Sequence, residues 1–423
     1  MSSGVFQNHS HWSAVKEVCD RLSGAGYQAL LAGGCVRDLL MGREPNDFDI
    51  ATDATPDQVE ALFPQALTVG KQFGVTILPF PGGFNLEVAT FREDLEYKDG
   101  RRPEGVKFSS PEKDAQRRDF TVNALFMEPG SQKVIDYVGG QTDIQKKIIR
   151  TVGQPEKRFE EDKLRLLRAV RFTSQLGFTI ANDTLSAIIL LAPEAAVVSR
   201  ERIRDEIVKL LKPRARVTAI ELLLSTGLFG AVFPKLALLV FGDETEWLKR
   251  FEIASAEGRE VSTALALSLF HFPAGQALDR KELRETHLKT LKLDNLAIDE
   301  ISFALEQLPI FLDPKSKRRG EMVQLLAHPG AKTALELAEI EEIRMKGAAS
   351  SEREAYLGEL KCQLTGEGKK PPAHLGGADG KAVGIAPGPR LGALLNEAYL
   401  LQLEGKLRTR DEALEWLKKQ TAN

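Results

Sequence analysis

Apolar residues change their spacing once along this chain, near residue 150, and that change limits what it can fold into. Before Arg150 short apolar runs are punctuated by Gly, Pro and Asp, the pattern of short strands and tight turns. From Glu160 onward they recur at three and four residues, as at Leu164, Leu167 and Val170, and mostly continue so to the C-terminus. An α/β part followed by an α-rich array is predicted. At 423 residues the chain exceeds what one hydrophobic core usually serves, so two or more domains are expected. Breaks near Pro213, Phe272-Pro273, His328-Pro329 and residues 366–377 mark candidate boundaries, and no repeat of fixed period is present.

The first part can be read further. A helix is expected over Trp12 to Leu22, a strand over Gln28 to Ala32, a turn at Gly33-Gly34 and a helix over Cys35 to Met41. Phe48 to Ala51 reads as a strand, and Thr55-Pro56 opens another helix. Thr76 to Pro79 and Asn85 to Ala89 read as strands joined through Pro81-Gly82-Gly83. Between Arg92 and Arg117 the pattern gives way to charge, Gly and Pro. A loop of that length in a compact domain usually serves function or is disordered.

Composition removes several classes. A hydrophobic share of 43% with 28% charged residues is that of a chain with a proper core. No stretch offers the roughly 20 unbroken apolar residues of a membrane helix, and MSSGVFQNHSHW lacks a charged and an apolar leader region, so a cytoplasmic location and no membrane partner are expected. Cys19, Cys35 and Cys362 are too scattered for a disulfide framework or a thiolate zinc site. The six histidines are dispersed and none precedes Asp, which argues against histidine-based metal chemistry. A net charge of −3 requires any nucleic-acid surface to be a local basic patch.

Asp47 and Asp49 alternate along a strand, so both carboxylates can face one side, where they repel unless a cation sits between them. Mg²⁺ suits such a place, because it takes one or two carboxylates plus substrate phosphates and can activate an attacking hydroxyl. Glu87, on a later strand, could complete the set. An isolated D-x-D is weak, since turn residues produce it often. Upstream, Gly33-Gly34 follows a strand and opens a helix, where free N–H groups favour phosphate, and Arg37 adds a cation. Together these residues outline a nucleoside triphosphate site.

The run LLAGGCVRDLLMGREPNDFDIAT resembles the first motif of the class II tRNA nucleotidyltransferase and bacterial poly(A) polymerase family, a branch of the polymerase-beta-like superfamily. RRDFTVNAL (Arg117 to Leu125) resembles its second motif, EDKLRLLRAVRF (Glu161 to Phe172) its base-selecting motif, and SRERIRDEIVKLL (Ser199 to Leu211) the motif that supports the neck. These cover residues 30 to 211, and Leu375 to Leu395 resembles the tail. The resemblance implies an α+β chain: a polymerase-beta-like nucleotidyltransferase head (1–150), then an all-α neck (151–212), body (213–330) and tail (331–423). It also implies Mg²⁺ on Asp47 and Asp49 with Glu87 as third carboxylate, and a triphosphate held at Gly33, Gly34 and Arg37. Arg118, Asp119 and Asn123 would contact sugar and phosphates. The implied partners are tRNA, CTP and ATP.

Asp162 and Arg165 are three apart, so on a helix they would share a face. An Asp acceptor beside an Arg donor can mimic a Watson–Crick edge. Cytosine and adenine offer an amine donor beside a ring-nitrogen acceptor, whereas uracil and guanine present the reverse, so the pair selects C and A. Each unpaired buried group in a misfit costs about 1–3 kcal/mol. Arg168 and Arg171 follow at three-residue steps and would reach phosphates or the adjacent base. Ser199 to Leu211 carries no chemistry in this reading: Ser199 caps a helix, and Arg202 and Glu206 are available for i,i+4 support.

GKQFGVTIL (Gly70 to Leu78) departs from the basic strand motif of poly(A) polymerases and is similar to the CCA-adding form. Asp94 to Pro103 retains the flexible loop that C-only members lack. CCA addition is expected, with A-only addition and poly(A) synthesis as alternatives within the family. The non-enzymatic alternative is a silent RNA-binding module.

Overall fold

The computed structural model describes residues 9–67, 71–95, 105–212, 215–256 and 259–420. The chain divides into two compact units, Met1–Pro234 and Lys235–Asn423.

In the first unit, α1 (Trp12–Gly24) buries Val15, Val18, Cys19 and Leu22, the i, i+3, i+4, i+7 set of one helix face. Covering an aliphatic side chain of this size contributes on the order of 1.5–3 kcal/mol before chain entropy is set against it. The face packs on a six-stranded sheet. Its strands are β1 (Ala29–Ala32), β2 (Asp49–Thr52), β3 (Val75–Pro79), β4 (Asn85–Thr90), β7 (Leu125–Met127) and β8 (Val134–Asp136), in spatial order β3-β4-β2-β1-β7-β8. The β2–β4 pair is parallel and the other neighbours are antiparallel. All four residues of β1 are buried because cores lie on both faces: Leu31 joins Val15, Ile50 and Leu125, and Leu30 joins Ala51, Phe91 and Phe126.

After β1 comes α2 (Gly34–Leu40), and after β2 comes α3 (Pro56–Leu62), which Thr55 and Gln58 start with a reciprocal capping box. Gly82 and Gly83, at φ +85° and +80°, turn the β3–β4 hairpin. The elements expected here from sequence are present within one or two residues. The stretch Arg92 to Arg117 is more ordered than expected. β5 (Arg92–Asp94) pairs antiparallel with β6 (Val106–Phe108), and Ser110 caps α4 (Pro111–Gln116). Most of the expected loop Asp94 to Pro103 lies outside the described residues.

Beyond β8, α5 (Gly140–Lys146), β9 (Ile148–Ile149) and α6 (Pro155–Glu161) lead to α7 (Leu164–Leu176), which is buried along almost its whole length. β10 (Thr179–Ile180) pairs parallel with β9, and α8 (Asn182–Leu191) and α9 (Arg200–Leu211) follow, with α9 packed on α7.

The second unit is helical among its described residues. Asn295–Leu312 packs along Ala331–Lys346, so the boundary expected at 330/331 falls between two helices that share a core. A smaller core of Leu375, Ile385, Leu391, Ala398, Leu407, Ala413 and Leu417 joins the last three helices. No helix among the described residues is long and apolar enough to cross a membrane.

Candidate nucleotide-binding site

Where β1 ends, the chain turns into α2 at Gly33, whose φ of 76° and ψ of −128° suit glycine almost alone. Its amide donates to the Leu125 carbonyl at 2.9 Å, and a Cβ there would lie 2.9 Å from Arg118 Nη1. The absence of a side chain lets Arg118 close over the turn. Arg118 is held there by Asp114 Oδ2 at 3.0 and 3.1 Å and by the Asn123 carbonyl at 3.2 Å.

Register in the parallel pair sets Asp49 opposite Glu87, and Asp47 lies two residues before. Asp49 keeps a surface open to solvent, but protein crowds most of its sides. Desolvation, then the negative charges of Glu87 and Asp47, outweigh Arg118 and push its carboxyl up to about 6. Carboxylates that destabilise one another without a cation are a donor set suited to a divalent metal, which needs only one or two of them plus phosphate oxygens. Among the described residues no three acidic, histidine or cysteine side chains converge as a metal group. Glu87 is Asp49's cross-strand neighbour in the sheet.

Asp49 borders a cavity of about 470 Å³, which Gly33, Gly34, Arg37, Arg118, Asp119, Asn123, Asp162, Arg165 and Arg168 also line. Asp47, Glu87 and Arg171 do not line it. Inside, the polar groups are already paired. Arg37 Nη1 donates to Asn123 Oδ1 at 2.6 Å, and Asn123 Nδ2 to Asp119 Oδ1 at 3.2 Å. Asp119 Oδ2 accepts from Arg168 Nε and Nη2 at 2.8 and 2.6 Å. Burial would raise the Asp119 carboxyl, but Arg168 outweighs it and holds it at about 2. With both oxygens engaged, Asp119 ties the head to α7 as well as facing the cavity.

Two expectations need correction. Asp162 and Arg165 do not share one helix. Asp162 ends α6 in extended conformation (φ −150°, ψ 104°), and its Oδ1 accepts the Leu164 amide at 3.0 Å to start α7. A short acidic side chain that bonds to a nearby backbone N–H competes with helix continuation. The two residues still border one cavity from either side of the break. Arg165 is fixed by Glu161 Oε2 at 2.6 Å and by the carbonyls of Arg158 and Arg117 at 2.9 and 3.2 Å. Arg171 turns away into a buried pair with Glu206 Oε2 at 2.5 Å, because α9 packs against that side of α7.

Sequence reasoning missed Arg117, Leu164, Phe172 and Arg202 as lining residues. All four lie inside quoted motifs, so motif membership was an available signal. Arg202 lay in a run read as structural only, and Ser199 makes no side-chain cap to α9. A larger hollow of about 850 Å³ opens beside this one, lined by mixed charges including Glu93, Lys113, Lys157 and Glu160. It lacks both the Gly33–Gly34 turn and Asp49, so the smaller cavity carries the candidate chemistry.

A glycine turn, several arginines, a strand carboxylate and the Asp162–Arg165 pair thus border one cavity. Residues 29–150 match the family model described as the Poly A polymerase head domain, and residues 177–239 match that of the probable RNA and SrmB-binding site of polymerase A. Over 298 residues, 70% of each chain, the protein is 45% identical to the CCA-adding enzyme of Geobacillus thermodenitrificans. It is 37% identical to that of Bacillus subtilis over 378 residues, 78% of this chain and 92% of the relative. The crystal structure of the Bacillus stearothermophilus CCA-adding enzyme in complex with CTP superposes with a TM-score of 0.80 at 31% identity, covering 99% of this chain and 98% of that one. The chain belongs to the family of CCA-adding enzymes, nucleotidyltransferases of a class that generally uses a divalent metal.

Proposed function

We propose that this chain adds C, C and A to the 3′ end of tRNA from CTP and ATP, in the cytoplasm, with residues 1–150 as catalytic head, 151–212 as base-reading neck, and 213–330 and 331–423 as RNA-binding body and tail. The observation that carries the reading is one cavity bordered by both Asp49 and the Asp162–Arg165 pair, with Arg37, Arg118 and Arg168 among its lining residues. Its position among arginines suits a triphosphate, and its far wall suits a base edge.

Asp47 and Asp49 would hold Mg²⁺, which when bound neutralises charge on the transferring phosphate and favours the ionised 3′-hydroxyl. The protein's own part is placement. Arg37 and Arg118 steady the triphosphate, Asn123 and Asp119 meet the ribose, and Asp162 and Arg165 select cytosine or adenine. The 3′-oxygen attacks the α-phosphorus, the bond to pyrophosphate breaks, and no covalent enzyme intermediate is required. Orientation and charge stabilisation then supply the rate.

The reading is tested with labelled CTP and ATP offered separately and together to tRNA lacking zero, one, two or three terminal residues. CCA addition requires both nucleotides and stops after one A. Incorporation only onto a preformed CC end, or continued addition of A, would replace it with the corresponding activity.

A further inference from the structure

Two rings just before α1, those of His9 and His11, lie against the segments of the head that lead into the carboxylate-bearing strands. The His9 side chain is only 8% exposed, and both of its ring nitrogens are engaged. Nδ1 accepts the His11 amide at 3.1 Å, so the ring proton sits on Nε2, which donates to the Pro45 carbonyl at 3.2 Å. The ring also meets Phe48 edge to face, with centroids 5.0 Å apart and planes at 85°. Pro45 lies two residues before Asp47 and Phe48 one after it, so a single imidazole grips the chain on either side of that carboxylate. His11 stacks on Phe84 with centroids 3.8 Å apart, immediately before β4 and its Glu87.

We propose that His9 is a positioning residue for the divalent cation, acting by fixing the backbone that presents Asp47. The inference rests on the reading that Asp47 and Asp49 hold the metal. Asp49 belongs to β2, and its place is set by the register with β4. Asp47 lies before that strand begins, within residues 43–48, which form no helix or strand. A ligand on such a stretch keeps backbone freedom that a cation would have to remove on binding, at the expense of its own affinity. His9 removes that freedom in advance. Phe48 is 2% exposed and Pro45 is buried, so the grip is anchored in the core and not in solvent. With the ring in place, the two carboxylates keep a set spacing before any ion arrives; without it, Asp47 loses its aim while Asp49 stays where the sheet puts it.

The test titrates the full-length protein with Mn²⁺ alone, following the free ion by electron paramagnetic resonance, and measures in parallel the Mg²⁺ concentration that gives half-maximal CTP incorporation. H9A is expected to weaken Mn²⁺ binding about tenfold, the lower end of what loss of a group behind a metal ligand costs, and to raise the Mg²⁺ midpoint by a similar factor. The loss in rate should shrink as Mg²⁺ is raised. H9Q, which keeps a donor for the Pro45 carbonyl, should recover part of the affinity. A role confined to stability would lower the melting temperature and leave both metal readings at their wild-type values, and that result in H9A would overturn the inference. Should H9A not fold, H9F gives the same readout, since it keeps a ring against Phe48 and loses both hydrogen bonds. D47A that binds Mn²⁺ as tightly as wild type would overturn the metal assignment itself.

Discussion

Arg168 donates through two nitrogens to a single oxygen of Asp119, at 2.6 and 2.8 Å, so α7 is bonded to the segment that follows α4. The partners lie 49 residues apart, and their bond closes the head onto the helices after it. Arg168→Ala should destabilise the first unit by about 3 kcal/mol, since it strands a largely buried carboxylate. The Asp119 carboxyl is held at about 2 against an ordinary value near 4, so the stabilisation is fully present above pH 4 and fades as pH falls toward 2. Urea midpoints of wild type and variant should therefore differ constantly from pH 7 to 4 and converge below.

Replacing either Asp47 or Asp49 by Ala should cut nucleotide incorporation by roughly a thousandfold or more, because removal of a group that stabilises developing charge has effects of that order. Binding of tRNA should persist, as measured by filter retention. Incorporation near the wild-type rate in either variant would remove that residue from the metal assignment.

Gly33→Ala and Gly34→Ala should differ. At Gly33 the positive φ and the 2.9 Å approach to Arg118 Nη1 strain any side chain, by roughly 1–3 kcal/mol. At Gly34 a Cβ would meet Arg37 Nη2 at an ordinary 3.6 Å. Steady-state kinetics should show KM for CTP raised about tenfold for the first, as expected of a loss near 1.4 kcal/mol, and little changed for the second.

His271, 1% exposed, bonds through Nδ1 to the Leu267 carbonyl at 2.9 Å. Burial outweighs that bond and, with His287 adding a little, pushes its pKa down to about 4. The unfolded chain takes up a proton near pH 6.5 that the native imidazole refuses, so stability is full above that pH and falls as pH drops toward 4, by roughly 3 kcal/mol. In His271→Gln this slope should be missing from denaturation curves between pH 7 and 4.5.

Much of the head was legible in the sequence, because its strands are short, apolar and bounded by Gly, Pro and Asp. The site was legible in its residue types and less so in its joints. The run from Glu161 to Phe172 keeps a helical spacing without Gly or Pro, so the break at Asp162 left no mark; it exists because that side chain caps the helix after it. Arg171 and Arg202 both sit on α-helices at exposed-looking positions. Which of them faces the cavity is decided by how α9 packs on α7, a contact between residues more than 30 apart that local pattern does not encode.

Phe172 carries the guanidinium groups of Arg171, Arg168 and Arg37 at 4.0, 5.2 and 5.5 Å from its ring centre. One aromatic disc thus adds a contact to two cavity-lining cations, Arg168 and Arg37, that Asp119 and Asn123 also hold, while Arg171 lies against it on the side of Glu206. On the proposed reading, a triphosphate would meet Arg168 and Arg37 already fixed in place, and the disorder that flexible arginines would have surrendered on its arrival was removed when the polypeptide collapsed.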